Sequence, residues 1–246
     1  MVFEYFDKIR KILDEVEEKE KVKILEASTI LADKIFNKNA VFVFGASHAG
    51  ILTEEVFFRA GGLVIFNPIF AKGLSLDSNP ISITSKMERL EGYGTILVEK
   101  SPIKDGDLVF IHSVSGRNPV SIEFAMESGK RGAKVICITN LKYSKSVTSR
   151  HSSRKRLFEV SHIVIDNHGD IGDAEVKIEG MDQKVGASST VIGATIMNTI
   201  ATEAIRLLLL KGVDIPPVFY SANIDGGDEK NKHIEEKYKN QIYYNL

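Results

Sequence analysis

Twice in this chain a short apolar run of strand type stops at a loop of small hydroxyl and glycine residues, and a helical pattern begins. The first instance is Val41-Phe-Val-Phe-Gly-Ala-Ser-His-Ala-Gly50; the second is Leu108-Val-Phe-Ile-His-Ser-Val-Ser-Gly-Arg-Asn-Pro119. Repeated strand–loop–helix units demand right-handed crossovers and a parallel sheet covered by helices on both faces. The loops also carry chemistry. Free N–H groups at a helix start are partly positive, and serine hydroxyls add short hydrogen bonds. Two such loops on neighbouring parallel strands converge on one phosphate and the body attached to it, so the pattern points to a phosphosugar site.

The rest of the chain fills in around these loops. Residues 3–36 carry Phe3, Phe6, Ile9, Leu13 and Val16 at three- to four-residue spacing, and Leu25, Ala32, Ile35 and Phe36 continue the stripe. A charged stretch from Glu15 to Lys23 lies between them, which leaves one long helix or two with a kink. Further strands are predicted at 63–66, 134–139 and 161–165, and helices at 49–60, 87–98, 119–129, 189–211 and 230–243. Gly61-Gly62 is read as a left-handed helix cap. Residues 67–82, rich in Asn, Pro, Ser and Gly, form a loop long enough to serve function. A helix placed before the first strand lacks a local partner for part of its apolar face. A second subunit would cover it, so a homo-oligomer, dimer or tetramer, is expected.

A length of 246 residues suits one large α/β domain. With 32 basic and 33 acidic residues, no basic field advertises nucleic acid or an anionic membrane. Residues 150–156 are locally basic and form a solvated loop that can close over an anionic ligand. The lone cysteine, Cys137, rules out a disulfide within the chain, fits a reducing cytoplasm and reads as a buried structural thiol. Asn198, Glu203 and Arg206 interrupt the most apolar helix, so it does not read as a membrane span. The N-terminus has no signal-peptide core. A soluble cytoplasmic protein is expected.

A dinucleotide-binding fingerprint needs three spaced glycines and an acid some way on for the ribose. Here only Gly45 and Gly50 remain, Ser47 stands between them, and the second strand ends in Phe66-Asn67-Pro68 without an acid. No Gly-Lys-Ser or Gly-Lys-Thr marks a P-loop. The second loop is more specific: Ser113-Val-Ser-Gly-Arg-Asn118 resembles the phosphate-binding loop of the sugar isomerase (SIS) family, Ser-x-Ser-Gly-x-Thr, with Asn118 in the place of Thr. Gly45-Ala-Ser-His-Ala-Gly50 is similar to the first SIS loop, and Thr139-Asn140 ends a strand as in many members. Val185-Gly-Ala-Ser-Ser-Thr190 resembles a segment of the N-acetylmuramic acid 6-phosphate etherases. The ending from Asn223 to Asn231 resembles a phosphoheptose-isomerase-like branch.

The resemblance covers residues 40–212 and implies a single SIS domain across 1–246. Residues 1–39 would form a helical segment used in oligomerisation and 213–246 a C-terminal extension. It implies a three-layer α/β sandwich around a five-stranded parallel, flavodoxin-like sheet in the order 2-1-3-4-5, with the ligand at the carboxyl ends of strands one and three. Ser113, Ser115, Asn118 and the Gly116 N–H would then hold the phosphate. Ser47 would face the sugar, and Ser188 or Ser189 would complete the cradle. Arg117 can add a bidentate contact.

Isomerisation between aldose and ketose needs a base to move a proton between C1 and C2. The nearby candidates are His48, Glu54, Glu55, Glu88, Glu91 and His112, with one of Glu54, Glu55 or His48 assigned the proton. Phosphoheptose isomerases are similar in opening this helix with Ser-His and a Glu pair, although their pair falls later. Leu90-Glu-Gly-Tyr93 is faintly similar to the Glu-Gly-Ala-Glu-Asp stretch of the etherases, with Gly94 in place of the second Glu. The other classes open to this sequence are a non-catalytic phosphosugar sensor and an etherase-like lyase on N-acetylhexosamine 6-phosphate derivatives. No cofactor is required, and the histidines show no metal-ligand spacing.

Overall fold

A computed structural model describes residues 3–244. In chain order the regular elements are α1 (Glu4–Phe36), β1 (Val41–Gly45), α2 (Ile51–Val56), β2 (Phe66–Pro68), α3 (Ile83–Met87), α4 (Tyr93–Lys100), β3 (Leu108–His112), α5 (Pro119–Lys130), β4 (Lys134–Thr139), α6 (Leu141–Ser146), β5 (Ile163–Asp166), α7 (Ser189–Leu210) and α8 (Gly227–Tyr238). All five strands are parallel and lie in the order β2-β1-β3-β4-β5. The predicted three-layer α/β sandwich and strand order are the ones observed.

Alternation along the strands builds the two helical layers. Val41 and Val43 of β1, Leu108 and Phe110 of β3, and Ile136 and Ile138 of β4 face one core, shared with α1 and α7. Their neighbours Phe42, Phe44, Val109, Ile111, Val135 and Cys137 face the other, shared with α4 and α5. Successive side chains of a strand point to opposite faces, so a strand buried on both reads as a continuous apolar run. Burial pushes the Cys137 thiol up to about 12, leaving it protonated and inert at neutral pH.

The N-terminal segment is one helix. Its charged middle is spanned by the pairs Lys19–Glu15 and Lys23–Glu20 at helical spacing, between straight-chain residues that favour helix. Ile12, Val16, Ile24, Ala27, Leu31 and Ile35 are buried, and the helix packs along α7 and against β5. Part of its apolar face is therefore covered from within the chain, while Phe3, Phe6, Leu25 and Phe36 of the same stripe stay exposed. α7 has the length and apolarity of a membrane span, yet Ile192, Ile196, Met197, Ile200 and Leu208 are buried in the core.

Several boundaries differ from expectation, each for a physical reason. The predicted helix 49–60 is a 3₁₀ turn at Ser47–Gly50 followed by the short α2. It ends early because Phe57 turns away to pack edge-on against Phe70 and Tyr244, at centroid distances of 5.7 and 5.0 Å. Gly61-Gly62 therefore caps no helix. Residues 61–64 bond instead to the C-terminal segment: Gly61 N–H donates to Phe219 O and Val64 N–H to Pro217 O, both at 2.9 Å. The strand predicted at 63–66 accordingly begins only at Phe66. The predicted helix 87–98 forms only from Tyr93 onward: α3 ends at Met87, residues 88–92 turn, and left-handed Gly92, φ 87°, leads into α4. The sequence reading missed α6, which starts where the Asn140 side chain accepts the Tyr143 N–H at 2.8 Å.

Candidate functional site

The carboxyl ends of β1 and β3 are adjacent in register, Gly45 beside His112, so the loops that follow them face one rim of the sheet. The first loop is folded tightly on itself. A side chain at Gly45 would stand 2.3 Å from the Ala49 carbonyl oxygen, which explains glycine there. Ser47 has φ 51°, and its N–H donates to Leu74 O at 2.7 Å. His112 Nδ1 donates to Ala49 O at 3.1 Å, tying the end of β3 to this loop. Burial pushes the His112 pKa down, and its Nε2 is buried without a partner.

The second loop is braced from behind. Thr139 Oγ1 donates to the carbonyls of Ser113 and Val114, Asn140 N–H donates to Val114 O, and Leu157 N–H donates to Gly116 O at 2.8 Å. These bonds consume carbonyl oxygens and leave donors free. Among the described residues, the Ser113 and Ser115 hydroxyls and the Ser115 and Gly116 N–H groups have no protein acceptor. A half-buried cluster of unpaired donors ahead of a helix N-terminus suits an anion.

One carboxylate joins the two loops. Glu88, at the end of α3, accepts a hydrogen bond from Ser47 Oγ on one oxygen. On the other it accepts Asn118 Nδ2 at 2.5 Å. Arg150 Nη1 donates to Asn118 Oδ1 at 2.9 Å, placing the basic segment beside the same point. Burial, and then repulsion from the Arg117 and Arg89 guanidiniums, hold the Arg150 pKa below the usual arginine range. Three guanidiniums thus share this region. Arg117 is turned outward, its Nε donating to Thr148 O at 2.9 Å.

The remaining residues singled out in the sequence are placed as follows. His48 and Glu54 are exposed, while Glu55 near the end of α2 pairs with Arg59 in the turn beyond it. None of the three is hydrogen-bonded to the second loop; Glu88 is the acid the fold brings there. Ser188 and Ser189 are buried at the start of α7 and already engaged. Ser188 Oγ donates to Glu175 and Ser189 Oγ to Asp173, each at 2.6 Å. Asp173 also accepts the Ser189 N–H at 2.9 Å, so a protein carboxylate occupies the anion position at this helix start. Glu91 accepts the Ser152 N–H at 2.6 Å. At Gly94 an added side chain would stand 2.3 Å from Val120 O, so the second acid of the etherase stretch has no room here.

A model of the SIS domain matches residues 4–140. The chain belongs to the SIS domain family. Among curated relatives, the UPF0309 proteins of Oceanobacillus iheyensis and Shouchella clausii are 52% and 51% identical, over 241 and 244 residues. The alignments cover 98% and 99% of this chain and 98% of each relative. Among solved structures, a phosphoheptose isomerase from Francisella tularensis aligns with a TM-score of 0.50 at 14% identity, covering 81% of this chain and 95% of that one. The phosphoheptose isomerase of Neisseria gonorrhoeae aligns at 0.51 and 13%, covering 82% and 94%. At such identities the likeness is one of SIS fold. The residues around Glu88 rest on the geometry of this chain alone.

Proposed function

We propose that this SIS protein binds a phosphorylated sugar between the loops after β1 and β3 and interconverts its aldose and ketose forms without a cofactor. The observation that carries the proposal is the Glu88 carboxylate, held between Ser47 and Asn118 at the mouth of a loop with unpaired donors. The phosphate takes the hydroxyls of Ser113 and Ser115 and the N–H of Gly116. Charge-assisted bonds of this kind contribute about 1.5–3 kcal/mol each. Arg150 supplies positive charge at the edge.

Glu88 is then the proton carrier, in place of Glu54, Glu55 or His48. As a carboxylate it takes the proton from C2 of the open-chain aldose while the C1 carbonyl oxygen gains a proton, giving an enediol. The same carboxyl returns its proton to C1 as the C2 oxygen loses its own, which leaves the ketose. Asn118 and Ser47 orient the carboxylate by donating to it. The phosphoheptose-isomerase-like branch is our finer assignment, supported by the shared fold. Exposed Phe3, Phe6 and Leu25 near α1, with Leu209 and Leu210 at the end of α7, support the accompanying proposal of a homo-oligomer.

A thermal-shift screen across hexose, heptose and hexosamine phosphates, with product analysis of each hit, tests the proposal. The expected result is a stabilising sugar phosphate that is converted to its isomer. E88Q should keep the thermal shift and lose turnover by at least about 100-fold. Turnover that survives in E88Q overturns the base. Stabilisation without product in the wild-type protein makes it a phosphosugar sensor, and an elimination product makes it a lyase.

A further inference from the structure

Beside the proposed phosphate loop, three ligating groups converge that the proposed reaction does not use. Glu91 comes from the turn before α4, Glu123 from α5, and His151 from the basic segment after α6. Their ligand atoms all lie within 4.8 Å of one another. His151 Nε2 stands 3.4 Å from Glu123 Oε1, with the two side chains only 10% and 8% exposed. That is longer than an N–H···O hydrogen bond, which falls at about 2.7–3.2 Å. It matches the edge of a tetrahedron whose metal–ligand bonds are about 2.0–2.1 Å, roughly 3.4 Å.

The surroundings orient each group toward that point. His151 Nδ1 accepts the Ser153 N–H at 3.2 Å and lies 2.7 Å from Ser153 Oγ, which anchors the ring with Nε2 turned toward the carboxylates. The proton of the neutral ring is then on Nε2, facing the carboxylates, and a metal ion bound at Nε2 would replace it with release of that proton. Glu123 accepts Gly92 N–H on Oε1 at 2.6 Å and Gly94 N–H on Oε2 at 3.0 Å. A carboxylate has about four acceptor positions, so each oxygen keeps a free lone pair. Glu91 is exposed and supplies the third corner; its Oε1 accepts the Ser152 N–H at 2.6 Å, and the carboxylate keeps further lone pairs free.

We propose that Glu91, Glu123 and His151 bind one divalent transition-metal ion of the zinc class, with water in the fourth position. One imidazole nitrogen and two carboxylate oxygens form a donor set of this class, whereas magnesium demands an octahedron of oxygens. The two carboxylates balance the ion's charge. Bound there, the ion fastens residues 151–153 to α5 and to the turn before α4. Arg150 is thereby fixed against Asn118 at the edge of the phosphate loop. The site's role is to hold that loop.

The test contains no sugar, so its outcome is separate from that of the phosphosugar proposal. Full-length protein is stripped with a chelator and titrated with Zn²⁺ by calorimetry, and with Co²⁺ by visible absorption. The expected result is saturation at one ion per chain, with the intense bands of four-coordinate cobalt. H151Q and E91Q should each weaken zinc binding at least about tenfold and abolish those bands. Their metal-free circular dichroism should match the wild type. Glu91 is exposed, so E91Q decides the matter if H151Q fails to fold. Absence of saturable binding, or binding that E91Q leaves unchanged, overturns the assignment.

Discussion

Asn118 Nδ2 donates to Glu88 Oε2 at 2.5 Å, while the other Glu88 oxygen takes the Ser47 hydroxyl. The amide is therefore both part of the second loop and the partner of the acid that unites the two loops. N118D replaces this donor with a second carboxylate. Two adjacent carboxylates resist joint ionisation, so one is expected to titrate well above the usual range. The melting temperature of N118D should be depressed at pH 8 and recover toward the wild-type value near pH 5, where a shared proton restores the hydrogen bond. A parallel offset at both pH values would show that the two groups do not face each other in solution.

Ser115 gives a test that separates ligand binding from mere turn-making. Its hydroxyl has no protein acceptor among the described residues, so S115A should leave urea stability within about 0.5 kcal/mol. Affinity for any phosphosugar found in the screen should fall by about 1.5–3 kcal/mol, roughly 10- to 150-fold. Urea unfolding and titration calorimetry on the same preparation read the two quantities. Lost stability with unchanged affinity would make the serine structural.

Gly45 is the tightest point of the first loop. A methyl group there overlaps the Ala49 carbonyl, which is the acceptor of His112 Nδ1. G45A should cost about 1–3 kcal/mol by overpacking, read as a lower urea midpoint with an unchanged slope. A wild-type midpoint would mean that the loop relaxes without strain.

His112 makes stability depend on pH. Its folded pKa is pushed down by burial, so between that value and the unfolded value near 6.5 the unfolded chain binds more protons. Stability contributed by the neutral ring is complete above about pH 6.5 and declines as pH falls toward the lowered folded value. The slope reaches at most about 1.4 kcal/mol per pH unit for this residue. H112N should flatten the decline between pH 6.5 and 5. His162, also lowered chiefly by burial, leaves a residual slope. An identical pH profile in the variant would place the dependence elsewhere.

The sheet was legible because β1, β3 and β4 are buried on both faces and so stand out as unbroken apolar runs. The hydroxyl loops were legible because they interrupt those runs with residues suited to turns and helix starts. What local pattern does not reveal is the partner across space. Glu88 looked like one acid among several on a continuous helix, whereas α3 ends at Met87 and the turn over 88–92 leaves Glu88 facing both loops. Ser188 and Ser189 carried the right chemistry for a cradle, but Asp173 and Glu175, on the loop after β5, already hold them. The cluster of Glu91, Glu123 and His151 has no short spacing to read, since its members come from three separate elements.

The pairing of α1 with α7 has a consequence for biosynthesis. The first helix leaves the ribosome with Ile12, Val16, Ile24 and Leu31 uncovered, and its mate lies about 150 residues downstream. Translation at about 5–20 residues per second leaves the nascent chain with a bare apolar ridge for on the order of ten to thirty seconds. Through that interval the lysines and glutamates of the ridge's outer side must keep it dispersed, or a chaperone must shield it.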